Sequence, residues 1–267
     1  MSDTIKNLPE KYSLMGVSVT PLTIIQLNDT VERIITSNKT GCIIANHNLH
    51  SIYLTHHNIS MQSFYKKANY VHIDGMPLVL IGKVLGYPFK RTQRVTYMDW
   101  VIPLMELAST NKWRVFYLGS APGVAKRGAE ILRNKYDDLK ITTNNGYFEP
   151  QPDSVDNNNI LDAINSFQPD ILMVGMGMPR QEKWILDNLE SLDAKVILTC
   201  GACMDYIAGE IPTPPRWMGK IGLEWLYRLL SEPGRLWKRY LIEPWFLIGL
   251  FLRDLWQIRI MNKKRGN

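Results

Sequence analysis

Cysteine is scarce. Three in 267 residues, an odd number, exclude a disulfide framework. Long apolar runs are also missing. In the C-terminal segment the longest uncharged run, Pro244 to Leu252, is well short of the ~20 residues that span a bilayer. The opening Met-Ser-Asp-Thr-Ile-Lys has no charged-then-apolar pattern of a secretory signal, so a cytoplasmic location is expected. There is no internal repeat and no low-complexity linker. No G-x-x-x-x-G-K-[ST] loop occurs, which excludes a Walker-type phosphate site, and no complete G-x-G-x-x-G occurs either. With 45% hydrophobic and 21% charged residues, the chain is globular rather than disordered.

The charge that is present is unevenly placed. The net charge is +6. From Thr213 onward the chain holds 11 Lys/Arg against 4 Asp/Glu, whereas the first 212 residues hold 20 against 21. The basic excess therefore belongs to the C-terminal segment, which implies an anionic partner for it. That segment also holds five of the eight tryptophans: Trp217, Trp225, Trp237, Trp245 and Trp256. Trp, Leu and Phe interleaved with Lys/Arg fit a helix lying on a membrane surface, or one packed on the core with its charges solvated.

The remainder alternates short apolar runs with helical patterns. Gly41 to Ala45, Tyr70 to Ile73, Arg114 to Gly119, Asp170 to Gly175 and Lys195 to Thr199 read as buried strands. Val124 to Tyr136 and Arg180 to Leu189 read as helices. The expected fold is α/β, a Rossmann-like parallel sheet flanked by helices, with a mainly helical C-terminal appendage. Ile211-Pro-Thr-Pro-Pro215 breaks regular structure and sets the expected boundary, with a core of 1–212 and a basic, Trp-rich appendage of 213–267.

In such sheets ligands sit beyond the carboxyl ends of the strands. Asp74-Gly75 follows one strand directly, so Asp74 is a candidate general base or a plain turn residue. Gly119-Ser-Ala-Pro-Gly123 and Gly175-Met-Gly-Met-Pro179 lead into helices, where free backbone N–H groups suit phosphate or simply make a tight turn. Arg180-Gln-Glu182 fills a first helical turn. Glu182 suits the helix dipole, and Gln181 could meet a sugar or a nucleotide. Cys200-Gly-Ala-Cys203 has redox or zinc spacing but no second pair, and reads as packing. His47 and His50 lie at a strand end without the spacing of a metal cage.

Taken together, the chain resembles the WecG/TagA/CpsF family of bacterial glycosyltransferases from about Gly41 to Tyr240. The resemblance rests on His72-Ile-Asp74-Gly75-Met-Pro-Leu-Val79, Arg94-Val-Thr96-Tyr-Met-Asp99, Phe116-Tyr-Leu-Gly119 with Gly123, and Gly146-Tyr147-Phe148. It extends through Val174-Gly-Met-Gly177-Met-Pro179-Arg-Gln-Glu182 and Gly222-Leu-Glu-Trp-Leu-Tyr-Arg228 with Glu232-Pro233 and Arg235. The Asp-Gly-Met-Pro-Leu-Val wording is similar to the exopolysaccharide branch of xanthan-type GumM transferases. Arg180 stands where lysine is common, and Cys200 and Cys203 replace small or apolar residues. At Asn46 some members carry threonine.

The resemblance implies an inverting transferase with a UDP-sugar donor and an undecaprenyl-diphosphate-linked sugar acceptor. It also implies a membrane-docking appendage and no metal or other cofactor. It matches Asp74 to the base, Asn48 and Arg94 to the catalytic surroundings, and Asp205 to a nucleoside contact. Asn46, Gly75, Thr96, Gly119, Ser120, Gly146, Tyr147, Gly175, Gly177, Pro179, Gln181, Glu182, Arg228 and Arg235 complete the expected nucleotide and substrate site. The sequence lacks Asp-x-Asp, the pair with which many metal-dependent sugar transferases hold a cation. The expected setting is peripheral, on the anionic inner face of the cell membrane, with no nucleic-acid partner. Two other classes compete: a nucleotide-cofactor oxidoreductase, suggested by the strand–glycine–helix turns, and a nucleic-acid-binding protein with a basic tail.

Overall fold

A computed structural model describes residues 10–37, 39–215, 218 and 223–265, without the side chains of Glu224, Arg235, Arg259 and 261–265. Apolar runs bounded by turns form one six-stranded parallel sheet. In spatial order its strands are β4 (Tyr70–Ile73), β3 (Cys42–His47), β8 (Val196–Thr199), β7 (Ile171–Gly175), β5 (Arg114–Gly119) and β6 (Lys140–Asn144). The chain runs outward from β3 to β4, crosses to β5 and β6, then returns through β7 and β8 to close the gap. The strand order thus reverses along the same edge where the carboxyl ends emerge, the usual place for a ligand in an open α/β sheet.

Alternate residues of the strands feed two cores, as a sheet covered on both faces requires. Ile44, Tyr117, Met173 and Leu198 pack with Leu27 of α1 (Ile24–Thr36), Trp100 of α5 (Tyr97–Thr110), Ala129 of α6 (Val124–Lys135) and Met204 of α9 (Cys203–Ile207). Ile43, Phe116, Leu172 and Ile197 pack with Phe64 of α3 (Ile59–Lys67), Ile164 of α7 (Val155–Phe167) and Trp184 of α8 (Arg180–Asn188). Each fully buried aliphatic or aromatic side chain contributes about 1.5–3 kcal/mol. Side-chain caps start several helices: Thr23 and Gln26 form a capping box on α1, and Ser154 caps α7.

Two parts of the strand layout were not evident in the sequence. One is β6, a polar edge strand paired to β5 from Arg114↔Lys140 to Leu118↔Asn144. The other is a hairpin of β1 (Tyr12–Leu14) and β2 (Val17–Val19). The hairpin joins a third core with α2 (Leu49–His57), α4 (Met76–Val84) and the last helix, α12 (Glu243–Arg265), through Leu14, Val19, Ile52, Val79 and Leu247. Between the sheet region and α12 lie α10 (Glu224–Ser231) and α11 (Pro233–Leu241). Two polar contacts secure α12: Met15 N donates to Asp254 Oδ2 at 2.5 Å, and His50 Nδ1 lies 2.7 Å from Glu243 Oε2. Among the described residues, no helix is long and apolar enough to cross a membrane.

Cys200 and Cys203 are free thiols buried in the first core, which agrees with the packing reading. Burial, and next the charge of Asp205, pushes the Cys203 thiol up to about 12. Such a thiol is a poor nucleophile.

The tightest constraint is the approach of strand ends. Gly119 is in register with Gly175. A Cβ on Gly119 would overlap the Gly175 carbonyl, and one on Gly175 would overlap the Tyr117 hydroxyl. Gly119→Ala is therefore expected to cost about 2 kcal/mol, a Tm loss of roughly 4–8 °C in thermal unfolding. An unchanged Tm would contradict this packing.

Candidate active site

The carboxyl ends of β3, β4 and β8 meet at Asp74. Its backbone N–H donates to His47 O at 2.8 Å, which extends the β3–β4 pairing by one residue. Its Oδ2 accepts from Asn46 Nδ2 at 3.0 Å and from Asn48 Nδ2 at 3.3 Å. Asn48 serves twice, because its Oδ1 also caps α2 by accepting from Ser51 N at 3.0 Å. Asn46 is buried and equally committed. Its Oδ1 accepts from Thr199 Oγ1 at 3.3 Å, and its backbone carbonyl accepts from Tyr65 Oη at 2.9 Å. Gly75 follows with φ +114°, a conformation that side chains resist, and opens α4. Asp74 is thus a half-buried carboxylate gripped by two amides rather than a simple turn residue.

Arg94 and Thr96 stand beside it. Arg94 bridges Ile73 of β4, and Val95 N donates to Ile73 O at 2.9 Å. Asp99 collects both side chains, accepting from Arg94 Nη1 at 2.6 Å and Thr96 Oγ1 at 3.0 Å.

A second group forms where β5, β7 and β8 end. Ser120 Oγ donates to Asp205 Oδ2 at 2.9 Å and lies 3.0 Å from the Tyr117 hydroxyl. Gly146 N donates to Ser120 O at 2.9 Å, so the β6 turn folds against the β5 turn. Beside it, at the start of α6, lies a hollow of about 220 Å³ lined by Pro122, Gly123, Lys126, Thr143, Asn144 and Asn145. Its place at the N-terminus of a helix and its lysine suit an anion. A larger cleft, about 400 Å³, lies elsewhere, behind β3 against the hairpin, and is lined in part by Gly16, His47, His56 and Tyr65.

The structure therefore gathers Asn46, Asn48, Asp74, Gly75, Arg94 and Thr96 into one group, and Gly119, Ser120, Gly146, Gly175 and Asp205 into another. Gly177 and Pro179 lie on the β7 turn, where the Met178–Pro179 peptide is cis. Tyr147 points outward, exposed. Gln181 and Glu182 correct an expectation. At 1% and 0% exposure they face the protein's own groups rather than an open ligand surface. The Arg235 side chain, Gly222 and Trp217 lie outside the described residues.

The C-terminal helices reach the first group. Arg239 of α11 is half-buried, and desolvation holds its guanidinium below the usual value. It feels Asp74 and Glu243 as favourable charges and Arg228 as a repulsive one. Arg228 of α10 lies over the Tyr206 ring at 5.9 Å. Arg239, with Arg228 close to it, brings positive charge to the Asp74 end of the strands, and Glu243 offsets part of it. His47 and His72 sit beneath, stripped of solvent. Burial drives His47 down to about 3, helped by His72 and His56, and His72 down to about 4. Both imidazoles are neutral near pH 7 and add no charge there.

The family model for the glycosyl transferase WecG/TagA/CpsF family matches residues 12–260. The chain belongs to this family. It is therefore a glycosyltransferase, and the oxidoreductase reading falls away. Among its relatives are proteins of Staphylococcus aureus strains MRSA252 and MW2, both named N-acetylglucosaminyldiphosphoundecaprenol N-acetyl-beta-D-mannosaminyltransferase. Each is 25% identical over 232 residues, covering 86% of this chain and 86% of the relative.

Sequence reasoning overlooked Thr199 and Tyr65, which hold Asn46 from two sides. Thr199 ends a strand, so the strand-end rule marks it, but threonine in an apolar run reads as a packing residue. Thr199→Val keeps the shape and leaves the buried Asn46 Oδ1 without its donor. The expected cost is about 1–2 kcal/mol in urea unfolding. A stability equal to wild type would show that this hydrogen bond is not formed.

Proposed function

We propose that the protein transfers a sugar, with inversion, from a UDP-sugar to a polyprenyl-diphosphate-linked saccharide in the synthesis of a cell-surface polysaccharide. One observation carries the reading: the Asp74 carboxylate, held by Asn46 and Asn48 at a strand end within the field of Arg239. The names of the relatives support a lipid-linked acceptor. In this reading Asp74 takes the proton of the acceptor hydroxyl as its oxygen attacks the donor's anomeric carbon. The bond from that carbon to the diphosphate oxygen breaks, and UDP leaves with the electron pair. Arg228, Arg239 and Arg94, with backbone N–H groups of the glycine turns, are the groups available to meet that charge. The donor's nucleotide lies along the Gly119–Asp205 side in this reading, with its diphosphate turned toward Asp74, where the anomeric carbon must meet the acceptor.

No divalent cation enters this scheme. Among the described residues no group of three or more His, Cys, Asp or Glu could hold a metal ion. Positive charge from arginine takes the place of a cation on the diphosphate.

Residues 213–267 dock the enzyme on an anionic membrane in this reading. Trp245 and Trp256 are 74% and 66% exposed on α12, near the exposed Leu241, Ile242 and Leu252. Exposed tryptophans beside Lys/Arg suit the headgroup layer, where the lipid-linked acceptor would present its diphosphate.

Two tests follow. Asp74→Asn is expected to keep the fold and UDP affinity while lowering turnover by roughly 10²–10⁴-fold, and wild-type turnover should persist in EDTA. Near-normal turnover of the variant removes Asp74 as base, and loss to chelator restored by Mn²⁺ or Mg²⁺ refutes the metal-free scheme. Cutting the chain at residue 213 would strip the third core of α12, so surface variants are the cleaner probe of docking. Trp245→Ser with Trp256→Ser should weaken sedimentation with anionic vesicles at least ~10-fold at unchanged Tm. Undiminished sedimentation contradicts docking through α12.

A further inference from the structure

Glu182 sits in the first turn of α8, fully buried, in a place where the transfer chemistry does not use it. Its Oε1 accepts from Gln181 Nε2 at 2.8 Å. Gln181 Oε1 in turn accepts from two backbone amides, Gly177 N and Gly201 N, each at 3.2 Å. One amide oxygen therefore ties the turn after β7 to the turn after β8. Both tied residues are glycines with positive φ, +79° and +53°, so their turns have little stiffness of their own. A flipped Gln181 amide would set its NH₂ against two N–H donors, and the acceptor supplied by Glu182 opposes that flip.

We propose that Glu182 is a positioning residue: it orients the Gln181 amide, through which the turns after β7 and β8 are held at one spacing beside the donor. The word donor rests on the proposed function; the tie between the turns does not.

The other oxygen of Glu182, Oε2, has no hydrogen-bond partner among the described residues. A buried carboxylate so placed is poorly solvated, and burial lifts its pKa to about 7 despite the bond from Gln181. Among the described residues no opposite charge acts on it. α3 presents Tyr65, which feels the negative charges of Glu182 and Asp74. The helix of Glu182 packs on Leu172 and Val174 of β7 through Trp184 and Ile185, and the neutral Asn157 of α7 bonds Trp184 and Asn188 of that helix. On its own helix Arg180 turns away to Phe148 O, and Lys183 pairs with Asp187. The neutral acid is the form that fits.

The sign of the pH effect follows. The folded protein keeps this proton up to about 7, whereas the unfolded chain releases it near 4.5. The stability contributed by the protonated form is complete below 4.5 and is lost as pH rises through 7. A glutamine reproduces the neutral acid, with a carbonyl for Gln181 and a donor on its other arm, and cannot ionise.

The test uses full-length Glu182→Gln and Glu182→Leu, each against wild type. Between pH 5 and pH 8 the folding constant of Glu182→Gln should gain about 10²-fold relative to wild type. Its Gly177 and Gly201 amides should stay protected from hydrogen exchange, and its turnover should remain within a few-fold of wild type. Glu182→Leu should expose both amides and lower turnover by 10-fold or more. The proposal is overturned if Glu182→Leu keeps amide protection, if glutamine fails as badly as leucine, or if Glu182→Gln shows no pH-dependent gain. Should the leucine variant not fold, the glutamine arms decide alone. The stability and exchange arms need no substrate, so they stand or fall separately from the UDP-sugar reading.

Discussion

The Asn46 amide donates to Asp74 and accepts from Thr199, so one side chain fixes the relative positions of three strand ends. β4 brings the carboxylate, β3 brings the amide, and β8 brings the hydroxyl. The parallel register makes the meeting possible. Asn46 pairs with His72, two residues before Asp74, and β8 pairs with β3 on its other side. Because Asn46 is buried, each of its polar atoms must be satisfied, and each bond that satisfies one also aims the carboxylate.

Similar logic governs the neighbouring strand ends. Gly119, Gly146 and Gly175 let the β5, β6 and β7 turns touch through their backbones, and Gln181 bridges from there to Gly201 after β8. Side chains that look available for ligand in the sequence are in part spent on holding these turns. The first group offers a carboxylate, the second offers turns and amides, and β8 belongs to both through Thr199 and the turn at Gly201. In the proposed scheme a proton acceptor and an anion-binding surface therefore share one rigid base, which suits transfer of a sugar from a diphosphate leaving group.

The sheet was legible because most of its strands are buried on both faces and read as unbroken apolar runs. β6 was not, since an edge strand written Lys-Ile-Thr-Thr-Asn carries no such run. β1 and β2, three residues each, are too short for periodicity to register. Asp74 was legible from its place after a strand. Tyr65 was hidden because it reaches Asn46 from a helix 19 residues away in sequence. Glu182 was read as a residue suited to the helix dipole and as part of the substrate site, and its full burial was not foreseen. Its burial comes from the packing of α8 on α3, a tertiary fact with no local signature.

The C-terminal segment joins the two themes of charge and placement. Its last helix is fixed to the N-terminal hairpin and α2, while Arg228 and Arg239 on the preceding helices bring positive charge to the Asp74 end of the sheet. Asp74 as a base, rather than a nucleophile, requires a single displacement at the anomeric carbon. The most direct measurement is the anomeric configuration of the product, read by NMR after transfer from an α-linked UDP-sugar to a short-chain lipid-diphosphate saccharide. A β-linked product is predicted. An α-linked product would mean retention and would contradict the account.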